Sequence, residues 1–166
     1  MKELDDYGLN ICKYQGNLFA LSLKYSKSSS PIFLRRFMLS TLAKRMDGDG
    51  FLFEALDYAT AVSEVEEKFN KNNYGQIKFS TEELYWIGYI YRYWCYTYGY
   101  SSDKVYHLVK PATLRELYYP YHSLDPAQVI ERIIEANNLE DIDCFTKGLT
   151  LLKTLRRRGG KPPVKL

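Results

Sequence analysis

Histidine is nearly absent from this chain of 166 residues, which carries only His107 and His122. Neither stands at HxxxH, HExxH or ExxH spacing, so no helical metal-binding pair can be built from them. Cysteine is almost as scarce. Cys12, Cys95 and Cys144 are an odd number, far apart and without a CxxC pair. That pattern excludes a disulfide framework and a zinc site, and points to a reducing compartment. No G-x-x-x-x-G-K-[ST], G-x-G-x-x-G or G-x-S-x-G string occurs, so neither a phosphate cradle nor a nucleophile elbow is spelled out. No apolar run reaches membrane-spanning length. The first ten residues, MKELDDYGLN, are polar and acidic, unlike a secretory signal. These absences together predict a cytoplasmic protein without cofactor, metal or membrane anchor, and a binder rather than an enzyme.

Two apparent exceptions dissolve on inspection. Asp47-Gly48-Asp49-Gly50 suggests a calcium loop, but the position that needs glycine holds Leu52 and the one that needs glutamate holds Tyr58. An Asp/Gly turn accounts for it. The acid pairs Glu66-Glu67, Glu82-Glu83 and Glu140-Asp141 sit at helix starts or on solvated faces, where they need no catalytic role. A thiol–imidazole pair of Cys95 with His107 would be the remaining nucleophile, and nothing in the spacing requires it.

What the chain has in excess is tyrosine. Six of its sixteen tyrosines and both tryptophans lie between Ser80 and Gly99. Ser80 and Glu83 have the S-x-x-E spacing of a capping box, and Gly99 fits a left-handed helix end. A helix of about residues 81–98 is therefore predicted. Leu84, Ile87, Gly88, Tyr91, Cys95 and Tyr98 share one face; Tyr85, Tyr89, Tyr93 and Tyr96 share another. An all-round apolar helix is ordinarily a core element. The tyrosine face could instead meet a partner, since Tyr and Trp are enriched at binding hot spots.

Around this helix, the chain reads as an all-α orthogonal bundle of six or seven mostly short helices. A helix is predicted at about residues 17–25, with a short strand pair turning at Gln15-Gly16 as the alternative. Ser30-Pro31 starts another, running to about Met46, with Arg35, Arg36, Lys44 and Arg45 on its outer side. A helix over about 55–70 follows. Ser101 or Ser102 caps a segment through Val109; Ala112–Tyr118 makes a further turn or two; Tyr118-Tyr119-Pro120-Tyr121-His122 reads as a rigid aromatic loop. Asp125-Pro126 opens an amphipathic helix to Asn138, and a last helix runs over about 139–157. The expected organisation is one helical domain, 1–152, and a flexible tail, 153–166. Lys153, Arg156, Arg157, Arg158, Lys161 and Lys165 fall in that tail, while all 20 acidic residues precede it. The +3 net charge therefore hides a mildly acidic body and a basic end.

Residues 29–38 (SSPIFLRRFM), 83–99 (ELYWIGYIYRYWCYTYG) and 118–133 (YYPYHSLDPAQVIERI) resemble a group of small uncharacterised bacterial proteins associated with toxin–antitoxin loci. The resemblance implies an antitoxin-like protein that binds and neutralises a co-encoded toxin enzyme. The partner-contact candidates are Tyr85, Tyr89, Tyr93, Tyr96, Tyr119, Tyr121 and His122. A second reading is nucleic-acid binding. Arg156, Arg157, Arg158 and Lys161 could neutralise phosphates. The helices at 81–98 and 101–109 have a helix-turn-helix outline, though Ser101, Ser102, Lys104 and His107 would be a thin reading surface.

Overall fold

A computed structural model describes residues 1–53, 56–69 and 75–137 of the chain. Those residues form eight α-helices and no strand, the all-α bundle expected. The elements are α1 (Asp6–Tyr25), α2 (Ser30–Met38), α3 (Thr41–Met46), a 3-10 turn at Phe51–Phe53, α4 (Tyr58–Glu67), α5 (Thr81–Tyr98), α6 (Ser102–Leu108), α7 (Pro111–Tyr121) and α8 (Pro126–Ala136). The chain divides into two compact units, residues 1–127 and 128–166. Within the second, α8 buries Val129, Ile130 and Ile133, its i, i+1, i+4 stripe. The predicted last helix and the tail lie outside the described residues.

The first unit is built on an antiparallel pair, α1 against α5. Both ends of α5 form as the sequence predicts. Ser80 Oγ accepts from the Glu83 amide, Glu83 Oε2 accepts from the Ser80 amide, and Gly99 closes the helix at φ 65°. α1 is longer than expected. Asp5 caps it by accepting the Gly8 amide at 2.7 Å, and the helix runs straight through Gln15-Gly16. That dipeptide makes no turn. A Cβ on Gly88 would meet the Gln15 carbonyl oxygen at 2.7 Å and Gly16 Cα at 3.0 Å. The two helices therefore touch backbone to backbone, and the glycines are there for that approach. Gly8 does the same under the Tyr96 ring.

Other boundaries follow caps that outweigh periodicity. The predicted 31–46 helix breaks after Met38, because Ser40 accepts the Ala43 amide and starts α3. α4 begins at Tyr58, since Asp57 accepts from the Thr60 amide and hydroxyl. The Tyr118–His122 segment is not a loop. It is the last turn of α7, with Pro120 inside it. Proline there forfeits one backbone hydrogen bond, at an exposed final turn where water can replace it.

The core contains two buried polar clusters. Arg92, in the middle of α5, is 1% exposed. Its Nε donates to Gln15 Oε1 (2.7 Å), Nη1 to the Met46 carbonyl (3.0 Å) and Asp47 Oδ1 (2.8 Å), and Nη2 to Ser102 Oγ (2.9 Å). In the second cluster Glu66 accepts from Arg36 Nη1 (2.7 Å), Ser26 Oγ (2.8 Å) and Ser28 Oγ (3.1 Å). Arg36 is thus not on a solvated basic face as its neighbours suggest; it is buried and paired. Every partner is hydrogen-bonded, which is the condition for burying such charges.

Candidate functional site

Three elements of the first unit leave a groove of about 480 Å³ between them. α5 contributes Thr81, Glu82, Tyr85 and Trp86, one face of its first turns. α1 contributes Asn17 and Ala20, three positions apart. α7 contributes Tyr118 and His122, four apart at its C-terminal end. The α1–α5 contact fixes one side of this groove, because a Cβ on Gly16 would come within 2.9–3.0 Å of the Tyr85 ring.

The groove's aromatic walls support one another. The Trp86 and Tyr118 rings meet edge to face, centroids 5.7 Å apart and planes at 78°. His122 stacks on Tyr118 at 5.0 Å. His122 Nδ1 lies 3.1 and 3.0 Å from the Tyr118 and Tyr119 carbonyl oxygens. Both are acceptors, so Nδ1 carries the proton, and in the neutral ring Nε2 is an acceptor. Glu82 has no ion pair among the described residues. Its neighbour Glu83 is spent on the Ser80 cap and on Arg115, 3.1 Å away.

The tyrosine strip divides. Tyr85 lines the groove; Tyr89 and Tyr93 continue from it, half-buried, with ring centroids 6.3 and 6.4 Å apart in succession. Burial pushes the Tyr89 hydroxyl up to about 12 and raises that of Tyr85. Tyr96 is engaged within the chain. Its hydroxyl donates to Asp5 at 2.7 Å, Lys2 Nζ donates to it, and the Lys2 amide bonds the Thr97 carbonyl. The Gly8 amide, then the Tyr96 hydroxyl, lower the Asp5 carboxyl. Tyr119 is 77% exposed, and Tyr121 is half-buried. Arg156, Arg157, Arg158 and Lys161 lie outside the described residues.

Sequence reasoning passed over Trp86 and Tyr118 as site residues. The signal was present, since 82, 85 and 86 share a helix face, but the partner wall depends on α7 continuing to Tyr121.

The structure separates the other residues considered for chemistry. Cys95 is buried, its thiol pushed up to about 11 by desolvation, and its sulfur faces Ser102 Oγ at 3.9 Å. His107 is exposed and turns to Asp103 of its own helix, 3.3 Å away. Cys12 is buried and raised to about 12 for the same reason as Cys95. Among the described residues, no three His, Cys, Asp or Glu side chains converge as metal ligands, and no helix is long and apolar enough to cross a membrane. The helix-turn-helix outline at α5–α6 loses one reading residue. Ser102 is fully buried, donating to Asp47 Oδ1 at 2.6 Å while accepting from Arg92.

No protein-family model, no curated protein and no solved structure matches the chain.

Proposed function

We propose that this chain is a non-catalytic protein-binding module whose docking face is the α1–α5–α7 groove, extended along α5 by Tyr89 and Tyr93 and over the rim by Tyr119. One observation carries the reading. Trp86, Tyr118 and Tyr85 wall an open groove of about 480 Å³ on rigid helices, with polar groups at its edge. Aromatic side chains so placed offer a large contact area at small entropic cost, the usual make-up of a hot spot. Burial raises the thiols of Cys12 and Cys95, which makes these two poor nucleophiles, because the thiolate is the reactive form.

The resemblance at residues 29–38, 83–99 and 118–133 narrows the partner to a co-encoded toxin enzyme, with the chain acting as a cytoplasmic antitoxin. The test is co-expression with the product of the adjacent gene. Wild-type chain should co-purify with it and relieve its toxicity. Trp86→Ala and Tyr118→Ala should lose both, with unchanged circular dichroism. Wild-type retention of neither property would overturn the reading.

A further inference from the structure

The groove's chemistry identifies the kind of side chain it takes, granted the protein-binding reading above. Six aromatic rings elsewhere are each covered by one of the chain's own cations. Lys24 sits over Tyr25, Arg36 over Phe69, Arg115 over Phe79, Lys2 over Tyr96, Lys104 over Tyr100 and Lys110 over Tyr106, at 3.3 to 5.1 Å from the ring centre. Tyr85, Trp86 and Tyr118 have no such cation among the described residues. They wall the groove; other rings, such as Tyr14 and Tyr58, also carry no cation among those residues, and what marks these three is that Glu82 lines the same groove.

The polar groups beside those rings can all accept hydrogen bonds, though Asn17 and Thr81 can also donate. Glu82 brings a carboxylate without an ion pair among the described residues. With Nδ1 facing the α7 carbonyls, the His122 ring turns Nε2 away from them, an acceptor whenever the ring carries one proton. Asn17 and Thr81 add amide and hydroxyl oxygens at the edge. The helix dipole accounts for an acid in the first turn of α5. It does not account for perpendicular Trp86 and Tyr118 rings next to that acid. A carboxylate beside aromatic rings that carry no cation of the chain's own is an arrangement that holds a cation with an apolar stem. The stem lies along the rings, and the charge meets rings and carboxylate together.

We infer that the groove binds a basic side chain, arginine or lysine, presented by the partner protein. The guanidinium plane or ammonium sits against the Trp86 and Tyr118 rings with its N–H groups directed to Glu82.

The test uses the full chain and three blocked tripeptides, acetyl-Ala-X-Ala-amide, with X arginine, lysine or citrulline. Citrulline keeps the shape of arginine without its charge. The reporters are built in, since the chain has two indole N–H signals in an amide correlation spectrum. Trp86 lines the groove and Trp94 is fully buried elsewhere, so Trp94 is the internal reference. The arginine and lysine peptides should shift the Trp86 indole and leave that of Trp94 in place. The citrulline peptide should bind about tenfold more weakly, the equivalent of about 1.4 kcal/mol. Glu82→Gln, an exposed substitution in the first turn, should weaken the arginine peptide several-fold and reduce its salt dependence. Equal titration by citrulline, an unchanged Glu82→Gln variant, or a silent Trp86 signal would each overturn the inference. If the whole partner is still captured through Trp86 in that event, docking stands and only the cationic anchor falls. If no partner is captured while the peptides titrate as expected, the groove is a cation site and the protein-binding reading falls.

Discussion

Arg92 Nε donates to Gln15 Oε1 at 2.7 Å, joining α5 to α1 across 77 residues of sequence. Gln15 also donates through Nε2 to the Gly88 carbonyl at 3.1 Å. One amide side chain thus satisfies the arginine and a backbone group on the same helix. Through Asp47 and Ser102, the same guanidinium reaches the end of α3 and the start of α6. Four stretches of chain are pinned by a charge that has no access to water.

That arrangement makes loss of either member expensive. Gln15→Leu should destabilise the protein by about 1–3 kcal/mol, the cost of leaving buried groups unpaired. Arg92→Met should cost about 3–5 kcal/mol, because it leaves buried Gln15 and the Met46 carbonyl without their partner and breaks the ion pair with Asp47. The double variant should cost less than the sum, since both remove the same bond. Urea denaturation midpoints measure all three, and strict additivity would refute the coupling.

Gly88→Ala tests the backbone contact. On helix propensity alone the change would gain about 1 kcal/mol. A Cβ there would strike the Gln15 carbonyl oxygen and Gly16 Cα, neither of which can rotate away. The helices must separate, so a net loss of about 1–3 kcal/mol is expected. A variant as stable as wild type would show that α1 and α5 do not meet so closely.

The two surfaces of Arg/Glu pairing should behave differently. Arg36→Met leaves Glu66 buried with only serine hydroxyls, and should lower stability by about 3–5 kcal/mol. Arg45→Ala breaks the partly exposed 2.9 Å pair with Glu64 and should change stability by less than about 1 kcal/mol. Thermal or urea melts of the two variants side by side decide the point.

Alkaline pH should unfold the protein cooperatively. Burial raises Cys95 to about 11, Cys12, Tyr14 and Tyr89 to about 12, and Tyr91 well above its ordinary 10.0. Each folded value exceeds the unfolded one, so above pH 9 the unfolded chain releases protons that the folded chain keeps. Stability from these groups is complete below about pH 9 and drains away as pH rises towards 12. Denaturation midpoints should fall across that range, with tyrosinate absorbance appearing together with unfolding. Gradual tyrosinate formation in a still-folded protein would contradict it.

Local signals gave away α5 entire, because its capping box and terminal glycine are contiguous with its apolar positions. They gave away the start of α2 at Ser30-Pro31 and the break at Lys110-Pro111 for the same reason. Gln15-Gly16 misled, since a glycine needed for close helix packing reads like a glycine needed for a turn. Arg36 misled because an arginine among exposed cations is indistinguishable from them until Glu66 arrives from 30 residues away. The Tyr118–His122 turn was hidden by Pro120, whose local penalty is offset by ring stacking along the last turn of α7.

By itself, then, the sequence determined an all-helical chain with a central aromatic helix, because periodicity, caps and breakers act over a few residues. Only the tertiary structure decided which tyrosines stay available. Gly8, Gly16 and Gly88 bring α1 onto α5, so Tyr96 is taken up by Asp5 and Lys2 while Tyr85 is left at the edge of a groove. That groove exists because α7 ends beside Trp86, a contact of Tyr118 across 32 positions that no local pattern encodes.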